Sequence, residues 1–476
     1  MTGEGSGKVG AQLRGWDAAT FRTASGDPRM RSTVIALAVL ESAPDWERLR
    51  TRLERLTHFV PTLRMRPLYG LFGLSAPRLA LDPDFDIDVH VHRYRLPDGS
   101  GWSDLLADVR RMSLTDFDRN RALWEAVLIE GLPGGEAAFS MKLHHSIADG
   151  QATVMMALSL FELSAEPNPD DPPTPEVPRG QDVGMFDIAR ANIEDNATRL
   201  RDGIQGALTA GGNVAKQALA DPVGAFDVVK QTVDSVSKAV ALPDAPLSSL
   251  WVDRGTTYHF GAFEFPFERL KHAAKSRGFS VNDAFMAAVA SGVDRYHQRY
   301  GATAPQLRVN VPISLRGDAG DRTGQASNAV AIARFEMPVE GLDVDERMAV
   351  IHELVDTWRG APAMRLADPL ADVSWFVPVP VLAQAAKASD ITTSNVPGPP
   401  IAMYLAGSRM MAAFPLVATI GAALNVTMVT YEGSACIGIS TDDRSIPDQR
   451  ELLEDLRWGF ELVTGDVVGS ADRYGG

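Results

Sequence analysis

Cysteine and long apolar runs are both scarce in this sequence, and each shortage excludes a class of protein. The single cysteine, Cys436, allows no intramolecular disulfide and no cysteine-based zinc site, a usage typical of a reducing cytoplasm. The longest apolar run near the start covers residues 34–40, whereas a membrane-spanning helix needs about 18 apolar residues. Residues 1–15 are polar and glycine-rich, without the apolar segment of a signal peptide. We therefore expect a cytoplasmic protein that meets membranes only at their surface.

Basic residues are also fewer than acidic residues. Lysine and arginine number 46 against 61 aspartates and glutamates, so the formal net charge is -15. Because a nucleic acid backbone requires a basic surface, this balance argues against nucleic acid as the partner. Hydrophobic residues make up 45% of the 476 residues, which is enough for globular cores and predicts two or three domains.

Several catalytic motifs are missing. The sequence GEGSGK at residues 3–8 is not a phosphate-binding loop, because Thr2 stands where the first glycine is required. His352 begins a zinc-protease pattern that lacks its second histidine, and no GxSxG motif marks a nucleophilic serine. Cys436 falls in a predicted strand, where a structural role is favoured over a nucleophilic one. The sequence therefore offers no nucleophile from the protein.

A metal site is not favoured either. Residues 86–92 alternate between polar and apolar, which predicts a half-buried strand with His90 and His92 on one face. Two histidines on one face could bind a metal, but no further ligand set is visible and exposed polar faces are common. We predict no metal.

The most informative feature that is present is the sequence HHSIADG at residues 144–150, directly after an apolar run. A neutral imidazole can remove a proton near pH 7, and Asp149 is close enough to brace the same loop. Gly150 allows a sharp turn away from the strand. Because neighbouring strand residues face opposite sides, one of His144 and His145 is predicted to be the base and the other structural. The alternative is a pair of ordinary core or loop histidines, which the spacing and the strand context disfavour.

The rest of the chain predicts a mixed α and β organisation. Helices are expected at 46–57, 102–112 and 151–163, and another helix begins at 280–283, capped by Ser280 or Asn282. A rigid polar loop is expected at 392–400. Strands are expected at 34–40, 85–94, 128–143, 260–265, 307–313, 329–335, 423–429 and 435–440. The proline-rich run at 166–178 marks a boundary. We predict domains at 1–165 and 251–476, with a proline-rich linker and helical crossover at 166–250.

A base without a protein nucleophile suggests direct transfer, in which a bound hydroxyl or amine attacks an acyl donor. Beyond the histidine motif, the chain resembles the bacterial wax ester synthase/diacylglycerol acyltransferase family of the CoA-dependent acyltransferase superfamily. The segments that carry this resemblance are WDAA at 16–19, DPDFD at 82–86, LWE at 123–125, ND at 282–283, VPISLR at 311–316, SNVPGP at 394–399, ALN at 423–425 and YEG at 431–433.

The resemblance implies an α/β fold of two chloramphenicol-acetyltransferase-like sandwich domains with an active-site tunnel between them. It implies that His145 is the general base and that Asp149 braces the loop, with Arg316 as a hypothetical partner of that aspartate. The reaction implied is transfer of a fatty acyl group from acyl-CoA to diacylglycerol or a long-chain alcohol, which makes triacylglycerol or wax ester. Acyl-CoA is then a co-substrate, and no cofactor is expected.

The sequence departs from the family at the positions of Ala122, Gln151 and Ile420, which leaves the shape of the acceptor site open. A tetrahedral oxyanion requires hydrogen-bond donors. Ser394 and Asn395 are our candidates. Asn282 is a weaker one, because capping of its helix explains it equally well.

Two other functions stay open at this point. One is a polyketide-ester or condensation-type transferase that takes its acyl donor from a carrier protein, which would need a basic docking surface. The other is a catalytically silent lipid-binding protein on the same fold, which the intact motif disfavours.

Contact with a membrane or lipid droplet is expected to be peripheral. Residues 226–240 form a narrow apolar stripe at helical spacing, with a local charge near zero. The stripe either meets lipid or packs on its own protein, and a polar face poor in lysine and arginine favours packing.

Overall fold

The computed structural model describes residues 10–70, 75–147, 156–157, 159–195, 245–314, 330–360, 377–465 and 474. Its strands are β1 Ala11–Gln12, β2 Thr33–Leu40, β3 Met65–Leu68, β4 Arg78–Leu81, β5 Val91–Arg95, β6 Trp124–Glu130, β7 Ala137–His144, β8 Tyr258–Pro266, β9 Gln306–Ser314, β10 Val330–Pro338, β11 Ile391–Val396, β12 Tyr404–Leu405, β13 Ser408–Val417, β14 Leu424–Tyr431 and β15 Ser434–Asp442. Its helices are α1 Gly15–Gly26, α2 Trp46–Phe59, α3 Trp102–Leu114, α4 Phe267–Ser276, α5 Val281–Arg299, α6 Val344–Gly360, α7 Val379–Lys387 and α8 Gln449–Thr464.

The first sheet has the strand order β12-β13-β2-β7-β6-β5. Its central strands β2, β6 and β7 are nearly continuous apolar sequence, as expected of strands buried on both faces. Helix α2 covers it with Leu49, Leu53 and Leu56, which recur at helical spacing and are fully buried. Asp45 caps this helix by accepting a hydrogen bond from the Arg48 backbone N–H at 2.7 Å.

The second sheet has the order β10-β9-β11-β14-β15-β8, and helices α4, α5, α6 and α8 pack on one face of it. Alternate residues of β14 enter this helix-covered core, namely Leu424, Val426 and Met428. The residues between them therefore face the other way, toward the first sheet.

One segment of the C-terminal half joins the sheet of the N-terminal half. Strand β13 pairs antiparallel with β2, for example Ala413 with Ala38, so a segment from the C-terminal half completes the first sheet. The predicted domain limits at 1–165, 166–250 and 251–476 remain predictions, but residues 404–417 belong by hydrogen bonding to the first sheet. The two sheets touch at Gly438 of β15, where an added Cβ would lie 1.8 Å from the Pro415 carbonyl oxygen of β13.

Most of the predicted elements are confirmed. The strands expected at 34–40, 260–265, 307–313, 423–429 and 435–440 lie within or almost within observed strands, and the helices expected at 46–57 and 102–112 lie inside α2 and α3. The predicted strand at 128–143 is two antiparallel strands, β6 and β7, joined by a turn at 131–136. The proline-rich run at 166–178 has no helix or strand, as predicted.

Two predicted elements are wrong in part. Residues 86–92 do not form one strand, because Ile87–Val89 is a 3-10 turn and β5 begins at Val91. His90 is consequently buried, stacked on the Trp124 ring with centroids 4.9 Å apart, whereas His92 is exposed. The two do not share a strand face. The loop expected at 392–400 is strand β11 as far as Val396 and a loop only from Pro397.

Other predictions fall outside the described residues, namely the apolar stripe at 226–240 and most of the helix expected at 151–163. Among the residues that are described, no helix is long and apolar enough to cross a membrane. The same residues contain no group of three or more histidine, cysteine, aspartate or glutamate side chains arranged to hold a metal ion.

Candidate active site

The histidine motif lies where β7 ends, as the sequence predicts. His144 is the last residue of β7, and its backbone N–H donates to the Leu123 carbonyl at 3.0 Å. The next residue already belongs to a 3-10 turn, His145–Ile147, and the His145 N–H donates to the Ser32 carbonyl at 2.7 Å. Because the strand alternation stops between the two histidines, their rings enter different environments.

His144 is a buried, neutral side chain. It is only 2% exposed and packs against Phe21 and Phe117, with ring centroids 5.4 and 5.8 Å away. The Ser146 backbone N–H donates to Nδ1 at 3.2 Å, so the ring proton is on Nε2. Burial, helped by the positive charge of Arg119, lowers the pKa of His144 to about 3. These contacts favour the structural role of the pair for His144.

His145 differs because its side chain keeps access to solvent. Surrounding protein still disfavours the charged form, so burial lowers the pKa of His145, while a hydrogen bond to its own backbone carbonyl opposes the shift. The carbonyl can only accept, so the ring donates in that bond. An accessible, neutral imidazole is suited to general-base chemistry.

Three further predicted residues of this loop and its surroundings, Asp149, Gly150 and Arg316, lie outside the described residues. Their roles remain predictions. Helix α1 packs against the turn from the other side, and it contributes the buried ring of Phe21.

Hydrogen bonds connect the histidine turn to the second sheet. Thr33, which pairs with His144 across β2 and β7, accepts at its carbonyl from the Ala418 N–H at 2.9 Å. The Ala418 carbonyl in turn accepts from the Asn425 side-chain amide at 3.4 Å, and Thr427 donates to Asn425 Oδ1 at 2.9 Å. The second sheet therefore presents polar side chains toward the edge that carries the histidines.

Of the two residues predicted to stabilise an oxyanion, only Ser394 lies on this polar face. Ser394 pairs with Thr427, whereas Asn395 pairs with Met428, which belongs to the helix-covered core. Successive strand residues face opposite sides, so the two cannot both serve one oxyanion. The sequence predicted that both residues lie in a loop, where both could face one substrate. Because β11 continues to Val396, they lie on opposite faces of a strand instead.

Asn282 lies in the first turn of α5, but it is not the cap. Ser280 accepts from the Asp283 N–H at 3.2 Å, and Asp283 accepts from the Ser280 N–H at 2.9 Å, which completes a capping box. Asn282 instead donates to the Met286 sulfur at 3.5 Å. Within the described parts of the chain, no hydrogen bond joins Asn282, Ser394 or Asn395 to either histidine.

Sequence reasoning did not identify Asn425 as a site residue, nor its cross-strand neighbour Ser440. Both are buried, and Ser440 donates to the Val417 carbonyl at 2.5 Å. A signal was present, because Asn425 and Thr427 alternate with the apolar residues Leu424, Val426 and Met428 at the start of the strand. Cys436 is buried on the same strand as Ser440, and burial raises its pKa to about 12, which agrees with the predicted structural role.

Known proteins are similar to this chain in sequence and in fold. A Mycobacterium tuberculosis H37Rv protein named as a candidate diacylglycerol O-acyltransferase is 29% identical over 450 residues, which span 94% of this chain and 90% of that protein. The wax ester synthase/diacylglycerol acyltransferase of Marinobacter aquaeolei VT8 superposes with a TM-score of 0.60 at 21% identity, covering 96% of this chain and all of that one. The first condensation domain of the calcium-dependent antibiotic synthetase superposes with a TM-score of 0.58 at 16% identity, covering 98% and 99%.

The two structural matches establish the fold, an α/β arrangement of two sandwich domains as predicted. Sequence establishes the family. Residues 13–285 match the wax ester synthase/diacylglycerol acyltransferase catalytic domain, and residues 326–463 match the C-terminal domain of the same family. The chain therefore belongs to the wax ester synthase/diacylglycerol acyltransferase family.

Proposed function

We propose that this acyltransferase moves a fatty acyl group from acyl-CoA to diacylglycerol or a long-chain alcohol, and so makes triacylglycerol or wax ester. Membership of the family supports acyl transfer to an alcohol. The observation that carries the proposal is the contrast between the two histidines, since His145 is accessible to solvent whereas His144 is buried. His144 is enclosed by aromatic rings and cannot reach a substrate.

The reaction needs one proton carrier and no nucleophile from the protein. The imidazole of His145 accepts the proton of the acceptor hydroxyl while that oxygen forms a bond to the thioester carbonyl carbon. The tetrahedral intermediate then collapses, the carbon–sulfur bond breaks, and the imidazolium returns the proton to the thiolate. The products are an ester and free CoA thiol, and His145 ends neutral. The lowered pKa keeps the base unprotonated at neutral pH.

The oxyanion of that intermediate needs a donor, and we assign Ser394 to this role in preference to Asn395. Ser394 is half-buried on the polar face of the second sheet. Loss of one such donor typically costs about 10²- to 10³-fold in kcat. Ser394→Ala is therefore expected to slow transfer strongly. The matched Asn395→Ala variant should be close to wild type in activity, because the Asn395 side chain lies on the opposite face of the sheet.

The decisive assay uses radiolabelled acyl-CoA with hexadecanol, with diacylglycerol and with a buffer blank. Labelled ester should form with at least one alcohol in the wild type, and His145→Ala should lower the rate by about 10²- to 10⁴-fold. His144→Ala serves as the neighbouring control and should lose less. Wild-type turnover by His145→Ala would exclude His145 as the base.

The same assay separates the two alternatives. A donor thioester on a carrier protein, supplied in place of acyl-CoA, tests the condensation-type function. Lipid binding without turnover of either donor would show a silent lipid-binding protein.

Lipid substrates also require contact with an interface, and we propose that this contact is peripheral. The apolar stripe at 226–240 is the candidate surface. Val229→Asp combined with Val233→Asp should weaken binding to vesicles or droplets, while activity on a water-soluble short-chain alcohol persists. Loss of that soluble activity would instead place the stripe in the protein core.

A further inference from the structure

A row of polar residues crosses the second sheet on the face turned toward the first sheet. Each member lies opposite the next in the strand register, from β10 through β9, β11 and β14 to β15. The row consists of Arg334, Asn310, Thr392, Asn425 and Ser440. Residues next to these in sequence, such as Ala333 and Phe335, belong to the helix-covered core, so the polar side chains lie on the opposite face.

One end of the row is linked through Ala418 and Thr33 to the strand that ends at His144. Ser440 and Asn425 donate to the carbonyls of Val417 and Ala418, at 2.5 and 3.4 Å. Ala418 is bonded to Thr33, the strand partner of His144. The other end is Arg334, which is three strand spacings from Asn425, or about 14 Å. A linear substrate lying along the row with its reacting carbon near the histidines would reach Arg334.

Arg334 is a cation for which the described residues supply no acidic partner. Its Nε donates to Asn310 Oδ1 at 3.1 Å, and the Ser389 hydroxyl lies 3.3 Å from the same oxygen. In the described residues no carboxylate pairs with Arg334, and the charged neighbour is Arg308, whose own partner is Glu336 at 3.2 Å. Burial, followed by the repulsion from Arg308, lowers the pKa of Arg334.

A half-buried guanidinium held beside a second cation is unfavourable unless an anion neutralises it. The net charge of -15 makes this position unusual, because acidic side chains are abundant elsewhere in the chain. Guanidinium is also the side-chain group best matched to phosphate oxygens. Within the described parts of the chain, Arg334 therefore has no anion to neutralise it.

We propose that Arg334, oriented by Asn310, binds a phosphate group of the acyl donor and so fixes one end of the donor on the polar row. The inference rests on the proposed function, in which the donor carries phosphates while diacylglycerol and long-chain alcohols are uncharged. CoA and the phosphopantetheine arm of a carrier protein share this chemistry. Each has phosphate separated from the thioester by an extended arm that could lie along the polar row.

The test compares donors that have and lack phosphate. Arg334→Gln should weaken binding of CoA, measured by calorimetry, and raise KM for acyl-CoA by about 10- to 100-fold, as expected for loss of a charge-assisted hydrogen bond. Its kcat/KM for acyl-N-acetylcysteamine, a thioester without phosphate, should equal that of the wild type. Arg334→Lys should retain part of the CoA affinity. Arg450→Gln, which removes an exposed charge on α8, is the matched control and should change neither.

The outcomes separate this inference from the proposed function. If wild type binds no CoA but accepts a phosphopantetheine-loaded carrier, and Arg334→Gln weakens that binding, the phosphate site stands and acyl-CoA is the wrong donor. If Arg334→Gln binds each phosphate-bearing donor like the wild type, the inference fails even though acyl-CoA is used. An equal loss with acyl-N-acetylcysteamine would assign Arg334 a structural role and also overturn it.

Discussion

Acid should destabilise this protein partly through His144. Its pKa is about 3 in the folded chain, against 6.5 for the ordinary side chain. Between these values the unfolded chain binds a proton that the folded chain does not, so stability present above pH 6.5 is lost as the pH falls. Each pH unit in this window is worth about 1.4 kcal/mol, so a change from about pH 7.5 to about pH 5 should remove roughly 2 kcal/mol through His144 alone.

His144→Phe tests this magnitude, because it keeps a ring between Phe21 and Phe117 but cannot be protonated. The variant also leaves the Ser146 N–H without its acceptor, at a cost that does not depend on pH. Urea unfolding at both pH values should therefore show that wild type loses about 2 kcal/mol more than the variant.

A buried aromatic residue of the other sheet supplies the control. Phe263→Leu should be less stable than wild type by the same amount at both pH values, since Phe263 does not titrate. If wild type and His144→Phe lose equal stability on acidification, His144 is not the neutral, buried group that its contacts indicate.

Three more outcomes are expected. Gly438→Ala should lower the free energy of unfolding by about 1–3 kcal/mol in denaturant melts, because its Cβ would overlap the Pro415 carbonyl between the sheets. Ser280→Ala should cost about 1 kcal/mol, whereas Asn282→Ala should leave the unfolding midpoint unchanged because Asn282 is not the cap. Since the pKa of His145 is lowered, kcat/KM should be flat above pH 6.5 and fall only in more acid solution, and a rise centred above pH 7 would contradict its assignment.

The sequence was informative wherever a local pattern has one physical meaning. An apolar run that stops at two histidines predicted the end of β7, and the observed 3-10 turn is the break that the pair requires. Amphipathic spacing predicted α2 and α3. The alternation of polar and apolar residues was less decisive at 86–92, where it suggested a strand. The Asp86 side chain accepts from the Asp88 N–H there and begins a 3-10 turn instead.

The order of the strands in each sheet could not be predicted from local sequence patterns, because strands that pair are distant in sequence. Nothing in residues 408–417 indicates that β13 leaves its own half of the chain to pair with β2. Polar residues in β11 looked like a loop, since only the parallel neighbours β14 and β9 supply the hydrogen bonds that make it a strand. Which of Ser394 and Asn395 lies on the polar face of the second sheet then follows from the pairing register.

By itself, the sequence determined the composition class, the family, the histidine pair and most of the helices and strands that carry them, because these depend on spacing and on short-range backbone preference. The tertiary structure decided which histidine is enclosed, since burial by Phe21 and Phe117 involves residues far apart in the chain. It also aligned Arg334 with Asn425, because a row across a sheet exists only after the strands have paired.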